Sequence, residues 1–354
     1  MNDPAALFGF DPPQVDPVDV LAIAGRHWGV IGTAHRLRGE RSQNTLIDDG
    51  EGSAWILQLQ SASEDPAAID LQTRAMVHLE HRAPDLPVSR VVRTLDGDLH
   101  ATIEVDGRVH LARLVTYLPG VTFEPVETMP DNAYERIGAL LGQIAEALDG
   151  FEHPAAGHFM PWDLGNGLIV DDDLRAGLSE PSLAALASVD ERLRAVADAL
   201  PGLPRRIIHN DGHAGNLVRP DAGSHLVSGV IDFGDLVDTV TVADVAIIAE
   251  SFAPDHHDPS RVVAAITAGY HRYVPLGDDE IAAIPELVLA RAALNVLLGE
   301  FQIRSAPHLA DRAAAMLGEV TARMAHWSRL DTGEMIDRIH RTIVSGAPSE
   351  RTAP

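Results

Sequence analysis

Residues 205–218 have the sequence RRIIHNDGHAGNLV, and residues 226–235 have the sequence LVSGVIDFGD. In the first segment a short apolar strand leads to Asp211, Asn216 follows five residues later, and a second apolar run comes after it. In the second segment another apolar run ends at Asp232. Polar side chains that directly follow buried strands are held rigidly, so these two segments are the candidates for a functional site.

The residue types in the two segments suit phosphoryl transfer. That reaction requires an acceptor hydroxyl held in line and a phosphate charge neutralised by metal. A carboxylate beside the hydroxyl can accept its proton, and Mg²⁺ prefers oxygen ligands from carboxylates, amides and phosphates. Asp211 can supply the base, while Asn216 and Asp232 can supply the ligands. The alternative is that Asp211 and Asn216 only cap turns, but this leaves the second segment unexplained.

The pattern His-x-Asp-x4-Asn, followed by a strand and Asp-Phe-Gly, resembles the catalytic loop and metal-binding turn of kinases. His209, with no arginine before Asp211, is similar to the aminoglycoside-phosphotransferase and choline-kinase branch. The resemblance extends over about Arg26 to Phe301 and is greatest to hydroxylysine-kinase-like members. The segments that carry it are Gly39–Asn44, Glu64–Pro66, Leu114–Gly120, Trp162–Leu164, Asp232–Asp235 and Gly269-Tyr270 with Pro275-Leu276.

This resemblance implies an α+β, bilobal, protein-kinase-like fold. A small, β-rich nucleotide-binding lobe would span residues 1–118, and a larger, mainly helical catalytic and substrate-binding lobe would span residues 119–354. The local patterns agree with this division, since Pro119-Gly120 breaks the strand pattern and the chain beyond it is mostly helical.

Periodicity predicts the following elements. In the first lobe we expect helices at Pro17–Arg26 and Ile69–His81, strands at Thr33–Arg38, Asn44–Ile47 and Ser53–Leu59, and two more strands around the turns Asp96-Gly97 and Asp106-Gly107. In the second lobe we expect helices at Ile137–Leu148, Pro181–Leu200, Val242–Phe252, Ser260–Tyr273, Asp278–Phe301 and His308–Ser328, and a β-rich insert at Arg205–Asp235.

The resemblance also implies a role for each site residue. Asp211 would be the catalytic base, His209 would support its loop, and Asn216 and Asp232 would bind Mg²⁺. Asp244 would brace the loop from a helix start, or it would only provide a favourable charge at a helix N-terminus. ATP or GTP would be bound by the turn residues Gly39, Arg41, Ser42 and Asn44, by Gln58, and by the backbone of Thr116, Tyr117 and Leu118.

One position departs from the family pattern. The family places a lysine on the third strand, where this chain has Gln58, and a glutamate on the next helix, where it has Gln72. Losing the lysine's charge from a dry phosphate site would cost about 2–5 kcal/mol of transition-state stabilisation. Arg38 or Arg41 could replace that charge, or both could be exposed surface arginines. The sequence therefore leaves two hypotheses: an active kinase, and an impaired pseudokinase that binds a nucleotide or small ligand.

The acceptor site is expected in the second lobe, beside the base. Asp235, Asp163, Asp238 and Glu250 are candidates to pair with a substrate ammonium group. Trp162 could pack on a sugar ring, on an alkyl chain or over a cation. The alternatives are structural, namely aspartates that cap turns and a tryptophan wedged between helices.

Composition limits the classes of partner. The chain has 354 residues, a net charge of −25, no cysteine, and arginine at every one of its 27 Lys/Arg positions. A disulfide or thiolate metal site is excluded, and nucleic acid is not an expected partner. The acidic surface would attract a cationic, hydroxylated small molecule, or it serves only solubility. Residues 1–20 lack a signal-peptide pattern and no apolar run suggests a membrane span, so we expect a cytoplasmic protein.

Overall fold

The structure, a computed structural model, describes residues 10–123, 128–253, 257–305 and 307–346. Expectations for the first nine residues and for the tail after Gly346 lie outside the described residues. The chain forms two compact units. The first contains the residues up to Pro119 together with His153–Ala155, and the second contains the remainder. The main division thus falls between Pro119 and Gly120.

The first unit is built around one antiparallel sheet. The sheet has six strands in the order β1-β2-β3-β6-β4, with β5 also paired to β6. The elements in chain order are α1 (Pro17–Trp28), β1 (Thr33–Arg36), β2 (Ser42–Asp48), β3 (Ala54–Gln60), α2 (Pro66–Arg82), β4 (Val91–Val92), β5 (Ala101–Val105) and β6 (Arg108–Thr116).

Alternating burial explains how this sheet is covered. Leu57 and Leu59 on β3 are fully buried and belong to the same core cluster as Val20 and Ala24 of α1. Gln58 lies between the two leucines and therefore projects from the other face. The antiparallel pairing of β3 with β6 places Gln58 directly opposite Arg113. Directly opposed residues of antiparallel strands project on the same side, so the two side chains meet.

The second unit is mainly helical. Its elements are β7 (Val121–Thr122), α3 (Asp131–Ala147), α4 (Asp172–Arg175), α5 (Glu180–Ala187), α6 (Asp190–Ala199), β8 (Arg205–Ile208), β9 (Leu217–Arg219), β10 (Gly229–Val230), β11 (Val237–Val240), α7 (Ala243–Phe252), α8 (Pro259–His271), α9 (Asp278–Ser305), α10 (Pro307–Trp327) and α11 (Thr332–Gly346).

Two small sheets hold the predicted catalytic segments in this unit. One has the strand order β10-β9-β7 and the other pairs β11 with β8. The loop of the first segment therefore runs from the end of β8 to the start of β9, and Asp232 of the second segment comes shortly after the end of β10. Because β9 and β10 are antiparallel neighbours, the end of the first segment lies beside the start of the second.

Three local predictions need correction. The helix expected at Pro181–Leu200 is two helices. The first ends where the Ser188 hydroxyl donates to the Ala185 carbonyl. The acidic residues Asp190 and Glu191 then favour the start of a new helix. Ser42, a residue of the predicted phosphate-covering turn, is the first residue of β2, and Asn44 also lies in that strand. The strongly amphipathic helix α11 was not predicted.

Helix α9 is long and apolar enough to cross a membrane by length and composition. However, 78% of its most apolar stretch is buried inside the structure. Acidic residues open the helix at Asp278, Asp279 and Glu280. Burial by the protein itself is the behaviour of a core helix, and α9 is the central helix of the second unit.

Candidate active site

The Asp211 carboxylate is held by Asn216 of the same loop. The side-chain Nδ2 of Asn216 donates to Asp211 Oδ2 at 2.7 Å and to the Asp211 carbonyl at 2.9 Å. Both acceptors are oxygens that cannot donate, which fixes the orientation of the amide. The amide nitrogen therefore faces Asp211, and Oδ1 of Asn216 faces away from it.

Asp232 follows the strand that pairs beside Asn216. The backbone N–H of Ile231 donates to the Asn216 carbonyl at 3.0 Å. Asp232 itself has a left-handed backbone with φ of 64°, and its Oδ1 accepts from the Gly234 N–H at 3.1 Å. The Asn216 amide oxygen and the Asp232 carboxylate thus come from adjacent backbone segments. They are oxygen donors of the kind that Mg²⁺ prefers, so the residues present fit that ion.

His209 connects the two segments as a neutral imidazole. Its Nε2 donates to the Ile231 carbonyl at 3.2 Å, and its Nδ1 accepts from the Asp211 N–H at 3.3 Å. These partners require a proton on Nε2 alone. Burial lowers the pKa of His209, which favours the same neutral form. His209 also packs edge-on against Phe233 at a ring separation of 4.8 Å, so it positions the loop.

Asp244 braces the catalytic loop from the start of α7. Its buried Oδ1 accepts the backbone N–H of Asn210 at 2.9 Å. Asn210 has φ of 62°, a left-handed conformation that asparagine tolerates better than most residues. Burial raises the pKa of the Asp244 carboxyl to about 7, against the opposing effect of the backbone hydrogen bonds from Asn210 and His209.

Two of the predicted acceptor residues have structural partners. Asp163 caps a short turn, with Oδ1 accepting from the Gly165 N–H at 2.7 Å and from the Thr239 hydroxyl at 2.5 Å. Burial raises the pKa of Asp163. The Asp238 side chain is 44% exposed on β11 and lies 3.8 Å from Arg205. These contacts favour the structural alternative for both aspartates.

Arg291, which was not predicted from the sequence, connects Trp162 with Asp211. The Arg291 guanidinium stacks over the Trp162 ring at 5.1 Å, and its Nη2 lies 3.6 Å from Asp211 Oδ1. Asp235, just beyond the Asp232 turn, is buried. Arg291 is the single basic residue between Ile281 and Ile303. A single basic residue inside a largely apolar helix was therefore the signal that could have identified it.

In the first unit, Gln58 is paired with an arginine. The Nε and Nη2 of Arg113 both donate to Gln58 Oε1, at 3.0 and 2.8 Å, and Nη1 donates to the Thr73 hydroxyl at 2.8 Å. Arg113 is only 4% exposed. Gln58 is therefore paired with a buried arginine, and a full positive charge lies where the lysine is missing.

The turn predicted to cover phosphates is closed by its own side chains. The Ser42 hydroxyl donates to Asn44 Oδ1 at 2.9 Å, and Asn44 Nδ2 donates to the Arg38 carbonyl at 3.2 Å. Gly39 permits this, since a Cβ there would lie 2.0 Å from the Ser42 carbonyl oxygen. The Arg41 guanidinium lies over the Phe10 ring at 5.4 Å.

Of the backbone groups predicted to face a purine, two N–H groups are already used. The Thr116 N–H donates to the Arg90 carbonyl at 2.8 Å, and the Tyr117 N–H donates to the Ala54 carbonyl at 3.0 Å. Within the described residues the Leu118 N–H has no such acceptor. Leu118 is therefore the donor in this segment that is left for a ligand.

Comparison with known proteins agrees with this arrangement. Residues 33–284 match the model of the phosphotransferase enzyme family, abbreviated APH. This chain belongs to that family. The matched region contains the two segments that carry Asp211 and Asp232 and most of each unit. Membership of this family makes the protein a small-molecule kinase with a protein-kinase-like fold.

Individual relatives of this APH-family kinase act on small molecules. The chain is 26% identical over 309 residues to the hydroxylysine kinase of Danio rerio, covering 83% of this chain and 86% of the relative. Among solved structures it is similar to amicoumacin kinase, with 17% identity, a TM-score of 0.68 and coverage of 91% and 97%. It is also similar to a microcompartment-associated aminopropanol kinase, with 18% identity, a TM-score of 0.67 and coverage of 92% and 98%.

Gly39→Ala tests the phosphate-covering turn. The added Cβ must displace the Ser42 carbonyl, so we expect the KM of this kinase for nucleotide to rise about 10-fold or more. The acceptor KM should change little, because the candidate acceptor residues lie in the second unit. Gly25→Ala, whose Cβ would lie 3.7 Å from its nearest neighbour, is the control. An unchanged nucleotide KM would contradict a role in phosphate binding.

Asp244→Asn tests the buried brace through pH. The folded carboxyl has a pKa of about 7 against an ordinary value of 3.8, so the folded state binds the extra proton between these values. Asp244 therefore lowers the free energy of unfolding as pH rises from about 4 to about 7. Asparagine keeps the accepting oxygen without the charge.

The free energy of unfolding of Asp244→Asn relative to wild type should thus increase over this pH range, measured by urea titration at several pH values. Asp198→Asn, an exposed residue of the same unit, should give a flat difference. A flat difference for Asp244→Asn as well would show that its carboxyl is ionised normally.

Proposed function

We propose that this kinase transfers the γ-phosphate of ATP or GTP to a hydroxyl of a small, amine-bearing acceptor, with Asp211 accepting the hydroxyl proton. The observation that supports this most is the asymmetric carboxylate of Asp211. Its Oδ2 accepts from Asn216 Nδ2 at 2.7 Å, which fixes the orientation of the carboxylate, and we propose Oδ1 as the atom that accepts the proton. A base held in one orientation loses little entropy when the acceptor binds.

We propose Mg²⁺ as the cofactor, held by Asn216 Oδ1 and Asp232. When bound, this ion neutralises phosphate charge and orients the transferred group. The protein's own contribution is to keep the ligands apart from the base, because the amide nitrogen of Asn216 faces Asp211 while its oxygen remains for metal. One side chain thereby separates the proton-accepting group from the cation-binding group.

The alternative, a pseudokinase, depends on the loss of the phosphate-binding lysine. Arg113 weakens that alternative, because two of its N–H groups donate to Gln58 Oε1 and so bring a positive charge next to this amide. An amide polarised at its oxygen is a better donor at its nitrogen. We propose that Gln58 Nε2 donates to the nucleotide phosphates and that Arg113 positions and polarises it.

An amine-bearing acceptor is supported by charge and by similarity. The buried carboxylates Asp235 and Glu250 lie in the unit that carries Asp211, and the net charge of −25 attracts cations. The similar proteins named above include kinases of hydroxylysine and of aminopropanol, both of which carry an amine. We therefore propose an acceptor with an ammonium group and a hydroxyl.

Asp211→Asn tests the proposed base. Without a proton acceptor, kcat should fall by about 10²- to 10⁴-fold, while nucleotide binding measured by calorimetry should stay close to wild type. The assay is coupled nucleoside-diphosphate release in Mg²⁺ with hydroxylysine, aminopropanol, homoserine and amino sugars as acceptors. Asp198→Asn is the matched control. A kcat within a few-fold of wild type would exclude Asp211 as the base.

Exchange of residues 58 and 113 tests the replacement cation. Arg113→Gln should raise the nucleotide KM about 10-fold by removing the charge behind Gln58. Gln58→Lys alone should also be impaired, since it places a second cation beside Arg113. The double variant Gln58→Lys/Arg113→Gln should recover activity, because it returns one cation to the site.

Arg74→Gln, an exposed α2 arginine paired with Asp70, controls for charge loss in the same unit. If Arg113→Gln lowered the melting temperature but left both kcat and the nucleotide KM unchanged, Arg113 would have only a structural role.

A further inference from the structure

Arg291 is a buried cation in the middle of α9. It is 6% exposed, and its helix neighbours Ala290, Ala292 and Ala293 are at most 2% exposed. Burying a guanidinium is costly unless anionic or hydrogen-bonding partners surround it. The position of Arg291 therefore requires an explanation from its contacts.

Those contacts leave most of its hydrogen-bonding capacity unused. Within the described residues the guanidinium donates one hydrogen bond, from Nη1 to the Trp162 carbonyl at 3.1 Å. Its Nη2 stays 3.6 Å from Asp211 Oδ1, an ion pair without a direct hydrogen bond. A guanidinium has five N–H donors in a planar fork. Stacking on the Trp162 ring fixes that plane.

The free donors lie next to the proposed reaction centre. Asp211 Oδ2 accepts from Asn216, and a hydroxyl that reacts at Oδ1 would lie on the side of Asp211 that faces Arg291. With a hydroxyl about 2.7 Å from Oδ1, the acceptor oxygen lies within about 6 Å of the guanidinium. A chain of about four to six single bonds of about 1.5 Å each, as between the hydroxyl and a carboxylate oxygen of a hydroxy amino acid, can span that gap.

We propose that Arg291 binds a carboxylate of the acceptor, and hence that the acceptor is a hydroxy amino acid rather than a simple amino alcohol or amino sugar. This inference rests on the proposed function and narrows its substrate class. A planar, preoriented guanidinium is the side chain best suited to a carboxylate, which it binds through two parallel hydrogen bonds.

The same face of α9 also contacts a buried carboxylate. Asn295, one helical turn after Arg291, donates to Glu250 Oε2 at 3.2 Å. Glu250 lies on α7, and its neighbour Ser251 accepts the N–H of Ala214 at 2.9 Å. The cation of Arg291 and the anion held against Asn295 complement the two charges of an amino acid.

Matched acceptors test this proposal. Homoserine and 3-amino-1-propanol differ only by the carboxylate, as do hydroxylysine and 1,5-diaminopentan-2-ol. We expect the wild-type chain to use each amino acid about 10- to 100-fold more efficiently in kcat/KM than its partner. Arg291→Met should remove that preference by raising the KM for the amino acids and leaving the KM for the amino alcohols nearly unchanged. Arg291→Lys should recover part of it.

Arg192→Met controls for damage to α9. Arg192 makes a two-pronged ion pair with Glu286 of α9 at 2.9 Å, and its loss should leave the acceptor preference intact. An equal loss of kcat for both members of each pair in Arg291→Met would show that Arg291 acts only on Asp211. A wild-type preference for the amino alcohols would also overturn the proposal, while leaving the phosphotransferase function in place.

If no acceptor of the panel is phosphorylated, the proposed function fails, and calorimetric binding of the same pairs decides the inference separately. Tighter binding of the amino acids that disappears in Arg291→Met would support the carboxylate site. Binding that is independent of the carboxylate would overturn it.

Discussion

The hydrogen bond from the Asn210 N–H to the buried carboxylate of Asp244 holds the catalytic loop in place. Between β8 and β9 the chain must turn through a left-handed residue at Asn210 and still present Asp211 in one orientation. A loop alone would not keep this conformation, because each ordered residue costs conformational entropy. Because the turn is anchored to the start of α7, a buried helix restrains the position of Asp211.

Hydrogen bonds from His209 and Asn216 complete the loop that Asp244 anchors. His209, immediately before the turn, accepts the Asp211 N–H and donates to the Ile231 carbonyl, which ties the first catalytic segment to the second. Asn216 closes the loop on Asp211 and pairs its backbone with Ile231. His209 and Asn216, which make these links, are neutral, so they hold Asp211 and the Asp232 segment without adding a charge next to either carboxylate.

The local motif was predictable from sequence, because strand, loop and strand lie within one short stretch and each polar residue follows a buried strand. Arg113 and Arg291 were not. Arg113 meets Gln58 only through the register of β3 with β6, and Arg291 reaches Asp211 from a helix 80 positions further along the chain. Hydrophobic periodicity gives an element's type and its buried face, but not the partner that a single charge will meet across the fold.

Arg113 and Arg291, which the sequence did not predict, have similar environments. Each is buried and donates to an oxygen, Gln58 Oε1 for Arg113 and the Trp162 carbonyl for Arg291. A guanidinium is less strongly hydrated than an ammonium and keeps its charge when buried. In a chain without lysine, arginine can therefore deliver charge from a second strand or a core helix rather than from the position where the family has its lysine. The charge at a site depends on which side chains the fold places there. A change at one motif position therefore does not by itself indicate an inactive kinase.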